Sequence, residues 1–448
     1  MIKKIDLFFF LIVSLALLFV FLNFNEIKFS NDSINYLQNS LLINSYFYNL
    51  DIKFNEPTSY PILYPLIISF FLSKSESLNI FGCIDKIESC SFYFHEIIIF
   101  NLVLFILSSI IIFFISQILF NRRLISYISS IIFLINSYYF SRIFFVNPEI
   151  LSIFLFLLSF YFLVSFLKEK TTNKLIILIL LFSLLFLIKP IFIIINSLFF
   201  GFLFFIKKIY LKEFVCTILI FICFFQISDI AKKNFFKSNG IKYELIVIEQ
   251  RTAYGKIKYN EMIPLFFSFI PKVDNIILTN LFEKKDIERI IVSENMRNYF
   301  YNNRNLLNDN KNADISKINI EKQNLKNFDK QIVLTPIFLF RGLFMQAGKS
   351  DFYDLKRENY FKNIFIYFNY IFFSFAKIYL FFLCLKFCIF ERNDDNFFKE
   401  IFTYLLIVII CHSVLTHNLP RYTSILFGIG TIFLIQKIYI LTKNFYKK

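Results

Sequence analysis

Two carboxylates next to apolar segments are the first residues of this chain that could do chemistry. Asp32 follows the first apolar segment within the stretch NDSINYLQNS, and Tyr36 lies one helical turn further on if this stretch is helical. Glu149 follows Pro148 at the start of another apolar run. A carboxylate at the boundary between water and membrane can take the proton from an incoming hydroxyl group. We therefore predict general-base chemistry for these acids, and we rank a divalent cation held between Asp32 and Glu149 below it.

Basic side chains near apolar segments could hold a phosphate group. Lys189-Pro190 separates two apolar runs, Arg341 lies within an apolar stretch, and Arg421 precedes Tyr422 near the last apolar run. Arginine binds phosphate through two parallel hydrogen bonds, and lysine binds it as a point charge. A proton-accepting carboxylate beside such cations suits transfer from a lipid-linked phosphate, because the activated donor supplies the energy. No GxxxxGK, GxGxxG, HExxH or CxxC motif occurs in the chain.

Each of these residues also has an ordinary structural explanation. Asp32 could cap a helix, and Glu149 could complement the positive end of its own helix. Lys189, like Arg421, could extend its charge to lipid headgroups, and tyrosines are common at membrane interfaces. The predicted topology places these groups on one side of the membrane, and together they indicate a site.

Composition identifies a membrane protein. Apolar residues make up 57% of the chain, phenylalanine alone occurs 68 times, and the mean hydropathy is +0.62. A soluble globular domain does not need so much apolar surface. We attribute the formal charge of +16 to biased composition and basic inner loops, so no nucleic-acid partner is predicted. Cys83 and Cys90 lie in a polar loop, and the sequence leaves a disulfide between them open.

The apolar runs predict an all-α polytopic membrane protein with about ten transmembrane helices. Basic residues in the inner loops place both termini in the cytoplasm, and we expect the inner membrane of a bacterium. The loop 25–95 would lie outside and would contain a short interfacial helix at 60–73. The apolar stretches 262–270 and 332–345 would lie on the membrane surface, with spanning as the alternative. The expected spans are 7–24, 96–120, 124–140, 148–167, 175–188, 191–206, 214–231, 364–389, 401–415 and 422–441.

Three parts of the chain follow from this topology. Residues 1–231 would form a transmembrane module that includes the first outer loop. Residues 232–363 would form a large extracytoplasmic loop or domain between helices 7 and 8. Residues 364–448 would form the C-terminal transmembrane helices.

The order of these motifs resembles the GT-C glycosyltransferases, in particular the dolichyl-phosphate-mannose protein mannosyltransferases and aminoarabinose transferases. The stretch NDSINYLQNS, followed by YPILYPLIISF, is similar to the acidic residue, tyrosine and Pro-Tyr-Pro-like stretch of that group. VNPEILSIF, LIKPIFI and HNLPRYTSILFGIG resemble its later features. The resemblance covers about residues 1–205 and, less fully, 401–440. Where the group often has two adjacent acids, this chain has Asn31-Asp32-Ser33.

The resemblance implies inverting transfer of a sugar, a hexose or pentose, from a polyprenyl-phosphate donor on the outer face of the membrane. The acceptor would be a lipid, a glycan or a protein. Asp32 would activate the acceptor hydroxyl, with Glu149 as the second catalytic candidate. Candidate contacts for the donor phosphate are Lys189, Arg421 and Arg341. Candidate substrate-binding side chains are Tyr36, Tyr60, Tyr64, His417 and Tyr422. No cofactor is implied with certainty, and the use of a metal stays open.

Three other interpretations stay open from the sequence. An O-antigen polymerase or ligase would rely on Arg and His of the outer loops rather than on Asp32. A transporter or flippase for a lipid-linked sugar would need a polar pathway through the membrane. Ionisable residues within or beside the spans have no obvious acidic partner there, which disfavours this second class; they are Lys189, Lys377, Lys386 and His412. A purely structural membrane protein is the third alternative.

Overall fold

The computed structural model describes residues 13–14, 27–54, 60–236, 328–344, 360–390, 396–416 and 420–445. Every regular element in these ranges is helical, and one isolated parallel bridge joins Lys28 to Phe145. The predicted all-α class is confirmed for this part of the chain. Most of the predicted first span, 7–24, and the stretch 262–270 lie outside the described residues.

The helices of the described ranges are given in chain order. The helices before residue 237 are α1 (Asn31–Tyr48), α2 (Leu63–Phe71), α3 (Lys74–Cys83), α4 (His95–Phe120), α5 (Arg123–Leu134), α6 (Ser137–Ile143), α7 (Glu149–Glu169), α8 (Thr172–Ile188), α9 (Ile191–Phe205) and α10 (Leu211–Phe236). The helices after residue 327 are α11 (Phe328–Phe344), α12 (Tyr360–Leu385), α13 (Asn396–Leu415), α14 (Pro420–Thr423) and α15 (Phe427–Phe445). Helix α12 continues as a π-helix, Lys386–Phe390.

Within the described ranges, 6 helices are long and apolar enough to cross a membrane. They are Lys86–Phe120, Glu149–Glu169, Leu211–Phe236, Ile371–Phe390, Phe397–Leu415 and Ser424–Asn444. Shorter apolar helices are Arg123–Leu134, Thr172–Ile188, Ile191–Phe205 and Ile332–Leu343. These helices support an integral membrane protein, while the count of about ten spans and the placement of the loops stay predictions.

Two long apolar runs of the sequence are each divided into two helices. The run 124–140 is not one helix, because α5 ends at Leu134 and the Asn136 side chain accepts a hydrogen bond from the Tyr139 backbone N–H (3.2 Å) to start α6. The predicted break at Lys189-Pro190 is confirmed, since α8 ends at Ile188 and α9 begins at Ile191. Proline lacks the N–H that a continuous helix would need there.

The chain divides into two compact units. Unit 1 comprises Met1–Tyr243, Arg392–Ile401 and Gly428–Lys448, and unit 2 comprises Glu244–Glu391 and Phe402–Phe427. The three-part division expected from the sequence stays a prediction. In unit 1, α4 packs against α5 and α7, and α7 packs against α8. In unit 2, α11 packs against α12 and α14.

One apolar cluster of unit 1 holds the end of α8 beside the first helices. Its buried members are Leu42, Ile43, Ile62, Phe186, Leu187 and Phe236. Close packing of this kind stabilises helix association where apolar lipid surrounds the protein. The cluster therefore fixes α1, the approach to α2, the end of α8 and the end of α10 relative to one another.

The sulfur atoms of Cys83 and Cys90 are joined in a disulfide, with their Cα atoms 6.4 Å apart. The bond closes the connection from α3 into the 3₁₀ segment Ile84–Phe94 that leads to α4. The pairing that the sequence left open is thus present in the structure.

Candidate active site

Helix α1 begins with a capping box that places Asp32 in its first turn. The Ser30 hydroxyl accepts a hydrogen bond from the Ser33 backbone N–H (3.2 Å), and the Ser30 N–H donates to the Ser33 hydroxyl (2.9 Å). The helix cap is therefore Ser30, and the alternative explanation of Asp32 as the cap is wrong. The first turn of a helix carries partial positive charge, which favours a carboxylate at that position.

The Asp32 carboxylate is held by a tyrosine from a later segment. The Tyr60 hydroxyl donates to Asp32 Oδ1 (3.1 Å), and it accepts a hydrogen bond from Asn35 Nδ2 (3.3 Å). Tyr60 is only 4% exposed, whereas Asp32 is partly accessible. The buried phenol thus orients a carboxylate that solvent or a substrate can still reach.

Three predicted substrate-binding tyrosines form one cluster next to Asp32. The ring of Tyr36 packs edge-on against Tyr60 (centroids 4.6 Å apart) and against Tyr64 (5.3 Å). All three rings are buried. Edge-to-face aromatic pairs contribute about 0.5–1.5 kcal/mol each beyond simple burial. We call these residues the tyrosine cluster; it gives the site a rigid wall.

Glu149 interacts electrostatically with the other end of the tyrosine cluster. Burial, and next the negative charge of Glu149, raise the pKa of the Tyr64 phenol well above its ordinary value. Tyr64 therefore stays a neutral phenol at physiological pH. Glu149 itself is buried and opens α7 directly after Pro148. The predicted helix start at Glu149 is confirmed.

A short backbone pairing ties the starts of α1 and α7 together. The Lys28 N–H donates to the Phe144 carbonyl (2.8 Å), and the Val146 N–H donates to the Lys28 carbonyl (3.4 Å). The two segments run parallel, and each enters a helix within a few residues. Asp32 and Glu149 therefore both occupy the first turn of a helix just after this pairing, although they are far apart in sequence.

One buried amide, which the sequence interpretation missed, holds the segment that leads to Glu149. Asn101 of α4 is fully buried, and its Nδ2 donates to the carbonyls of Ile143 (3.2 Å) and Phe145 (3.1 Å). The guanidinium of Arg142 lies over the rings of Tyr138 (4.9 Å) and Phe145 (4.8 Å). A polar amide in the apolar run IIIFNLVLF was the available signal, because buried polar groups are nearly always hydrogen-bonded.

Lys189 lies at the end of α8, close in the chain to the apolar cluster. Its backbone N–H makes the last hydrogen bond of the helix, to the Leu185 carbonyl (2.9 Å), and its own extended backbone ends the helix before Pro190. Leu187, two residues earlier, packs in the same cluster as Ile62, which is two residues from Tyr60. The structure thus brings the Lys189 end of α8 to the segment that leads into the tyrosine cluster.

The remaining predicted site residues belong to unit 2. Arg341 of α11 is buried, and the Gly342 carbonyl that follows it accepts hydrogen bonds from Lys377 Nζ (2.6 Å) and from the Thr423 hydroxyl (2.5 Å). Tyr422, also buried, stacks on the ring of His412 (5.8 Å). Arg341 directly precedes Gly342, and the Arg421-Tyr422 pair directly precedes Thr423. The hydrogen bond from Thr423 to the Gly342 carbonyl therefore joins the two segments that carry these candidates. His417 lies outside the described residues.

No group of three or more His, Cys, Asp or Glu side chains that could hold a metal ion occurs within the described ranges. The possibility of a cation between Asp32 and Glu149 stays a prediction.

One family model matches part of this helical chain. Residues 90–230 match the family model of the dolichyl-phosphate-mannose-protein mannosyltransferases. The match supports a membrane glycosyltransferase of the GT-C type and confirms the resemblance for this part of the chain. It includes Glu149 and Lys189, whereas Asp32 and the tyrosine cluster precede it. No curated protein matches the chain.

Proposed function

We propose that the chain transfers a sugar from a polyprenyl-phosphate donor to a hydroxyl group of a lipid, glycan or protein acceptor on the outer face of the membrane. The observation that carries this proposal is the arrangement around Asp32. Its carboxylate lies at a helix start, it is oriented by the buried Tyr60 phenol, and it adjoins a rigid aromatic wall. The family match over residues 90–230 supplies the class of reaction.

Asp32 acts in this mechanism as the general base. It takes the proton of the acceptor hydroxyl while the acceptor oxygen bonds to the anomeric carbon of the sugar. The bond from that carbon to the phosphate oxygen breaks, and polyprenyl phosphate leaves with the bonding electron pair. The configuration at the anomeric carbon is inverted, because the oxygen attacks opposite the leaving group. General-base assistance contributes about 10²–10⁴-fold to such reactions.

Glu149 is the second carboxylate of the proposed site. The chain has one acid, Asp32, where related sequences often have two in a row, and the pairing of Lys28 with the segment before α7 brings a second acid-bearing helix start to the same region. Glu149 also carries the charge that acts on Tyr64. We assign it to the acceptor side of the site, where its charge would orient hydroxyl groups of the substrate.

Cations hold the leaving phosphate in this proposal. Lys189, Arg341 and Arg421 are the candidates, and the arginines suit bidentate contact with phosphate oxygens. The tyrosine cluster lines the sugar, with His417 and Tyr422 as further substrate contacts. Positive charge next to the leaving group lowers the barrier, since negative charge develops on the phosphate oxygen as the bond breaks.

The decisive experiment measures transfer of a labelled sugar from a polyprenyl-phosphate donor pool in membranes that contain the full chain. Asp32→Asn removes the charge and keeps the size, so we expect transfer to fall by about 10²-fold or more. Asp51→Asn is the matched control, because Asp51 follows α1 and is exposed. Among the described ion pairs it pairs only with exposed Lys53, at 2.7 Å. Transfer to an acceptor added outside sealed vesicles is then compared between right-side-out and inside-out vesicles. The orientation that supports transfer identifies the face of the membrane on which the acceptor is used.

Three results would redirect the assignment. Full transfer by Asp32→Asn would remove Asp32 from the mechanism. Loss of transfer in Arg341→Ala, together with full transfer in Asp32→Asn, would favour a polymerase or ligase. Absence of transfer by the unmodified chain with every donor would favour a transporter of the lipid-linked sugar.

A further inference from the structure

Lys377 is a buried cation within a helix that could cross the membrane. It lies in the candidate span Ile371–Phe390 and is 0% exposed. Its Nζ donates to the Gly342 carbonyl (2.6 Å) and lies 4.8 Å from the centre of the Phe373 ring. An ammonium group at such a position is costly, so ionisable residues in membrane helices usually have a function.

The Gly342 carbonyl is a shared acceptor. It belongs to the described part of α11, Phe328–Phe344. A backbone carbonyl has two lone pairs and can accept more than one hydrogen bond. The Thr423 hydroxyl donates to the same carbonyl. Lys377 and Thr423 thus bind one carbonyl of α11 from two other helical segments of unit 2.

The shared Gly342 carbonyl and its partner Thr423 lie close in the chain to two of the residues proposed to bind phosphate. Arg341 directly precedes Gly342, and Arg421 lies two residues before Thr423. A hydrogen-bonded carbonyl between them limits how far the two backbones can move apart.

We propose that Lys377 is a positioning residue of the donor-phosphate site. By binding the Gly342 carbonyl of α11 together with Thr423, it holds Arg341 and Arg421 in the arrangement that binds the phosphate of a polyprenyl-phosphate lipid. The inference rests on the proposed function, because it assumes that these arginines meet the donor phosphate. It adds to that site one residue, Lys377, and one physical device, the carbonyl that Lys377 and Thr423 share.

The test compares binding of polyprenyl phosphate with binding of the phosphate-free polyprenol to the purified full chain in detergent micelles. Lys377→Met removes the ammonium and keeps an unbranched side chain. We expect affinity for polyprenyl phosphate to fall tenfold or more, and affinity for polyprenol to change less than twofold. Lys386→Met is the matched control, since Lys386 is on the continuation of the same helix, is exposed and lies near the ring of Phe387 (5.7 Å). It should bind both lipids as the unmodified chain does.

Thr423→Val provides a second, milder variant that keeps every charge. It removes the other hydrogen bond to Gly342, so affinity for polyprenyl phosphate should fall severalfold. In the double variant with Lys377→Met, the loss should be smaller than the product of the single losses, because both side chains act through one carbonyl. In the transfer assay, the KM for the donor should rise for both variants while kcat stays within twofold.

The outcomes separate this inference from the proposed function. If Lys377→Met unfolds, Thr423→Val decides, and unchanged binding of polyprenyl phosphate by that variant overturns the inference. A folded Lys377→Met that binds polyprenyl phosphate within twofold of the unmodified chain overturns it as well, even when transfer is observed. Phosphate-dependent binding that needs Lys377, with no transfer by the unmodified chain, supports the phosphate site and refutes the transferase proposal.

Discussion

Removing the Tyr60 hydroxyl tests whether the orientation of Asp32 matters for transfer. In Tyr60→Phe, Asp32 Oδ1 loses the donor that lies 3.1 Å away, while the ring keeps its edge-on contact with Tyr36. Asn35 Nδ2 also loses its acceptor at 3.3 Å. The variant therefore leaves the aromatic wall in place and releases the carboxylate.

The magnitude follows from the kind of bond that is lost. A hydrogen bond to a charged group contributes about 1.5–3 kcal/mol. If the bond holds Asp32 in its productive orientation, the barrier to proton transfer rises by about that amount, which corresponds to roughly a 10- to 150-fold loss of kcat/KM. The effect on folding should be smaller, because Asn35 is partly accessible and can bind water instead.

The assay is the rate of sugar transfer per amount of folded protein in membranes. Tyr46→Phe is the matched control, because it also removes a tyrosine hydroxyl group. Tyr46 lies in α1, the helix of Asp32, and its side chain is 53% exposed. We expect this control to transfer at the unmodified rate. A combined Asp32→Asn and Tyr60→Phe variant should be no slower than Asp32→Asn alone, since Tyr60 acts through Asp32.

Two results would refute this argument. In the first, Asp32→Asn abolishes transfer but Tyr60→Phe transfers within twofold of the unmodified rate. This result would show that the hydrogen bond does not orient the base. A further loss in the combined variant would show that Tyr60 acts on the substrate directly.

Three further predictions concern the framework of unit 1. Asn101→Leu removes a donor from the Ile143 carbonyl and one of two donors from the Phe145 carbonyl, which keeps the Asn147 N–H (2.9 Å). We therefore expect a loss of about 1–3 kcal/mol in unfolding free energy and slower transfer at temperatures where the unmodified chain is folded. Gly428→Val should destabilise the chain by about 1–3 kcal/mol, because an added Cβ would already lie 2.8 Å from Ile112 Cδ1. Replacing Cys83 and Cys90 by serine opens a short covalent loop and should cost about 2–3 kcal/mol in thermal or denaturant unfolding.

Each framework prediction has its own control and contradicting result. Gly201→Val introduces the same side chain where an added Cβ meets nothing within 4 Å, so it should leave stability nearly unchanged; equal losses at both glycines would contradict the packing argument. Unchanged stability of Asn101→Leu would contradict the role given to the amide of Asn101 in holding the segment before α7. Labelling of Cys83 and Cys90 by a thiol reagent without prior reduction would contradict the disulfide.

Helix starts and breaks near the site could be predicted from the sequence where neighbouring residues determine them. Glu149 opens its helix because Pro148 favours a helix start, and the break between α8 and α9 follows from Pro190. The cap of α1 was harder, since Ser30, Asn31 and Asp32 are all good capping residues. Pairing of Lys28 with the segment before α7 holds the preceding backbone in place, and Ser30 becomes the cap.

Long-range contacts account for what the sequence could not predict. Tyr60 reaches Asp32 across 28 positions, Asn101 reaches the Phe145 carbonyl across 44, and the bond from Thr423 to Gly342 spans 81. Hydrophobic periodicity and caps depend on residues within a few turns, so they carry no information about which distant side chain arrives at a given carbonyl or carboxylate.

By itself, the sequence determined a helical membrane protein, the acids and bases available to it, and the places where its helices begin and break, because apolar length, proline and capping act locally. Only the tertiary structure decided that Asp32 and Glu149 open two helices joined by one backbone pairing, with the tyrosine cluster beside them. The same holds for the hydrogen bond from Lys377 to the Gly342 carbonyl of α11, because helix packing and not any motif selects that carbonyl.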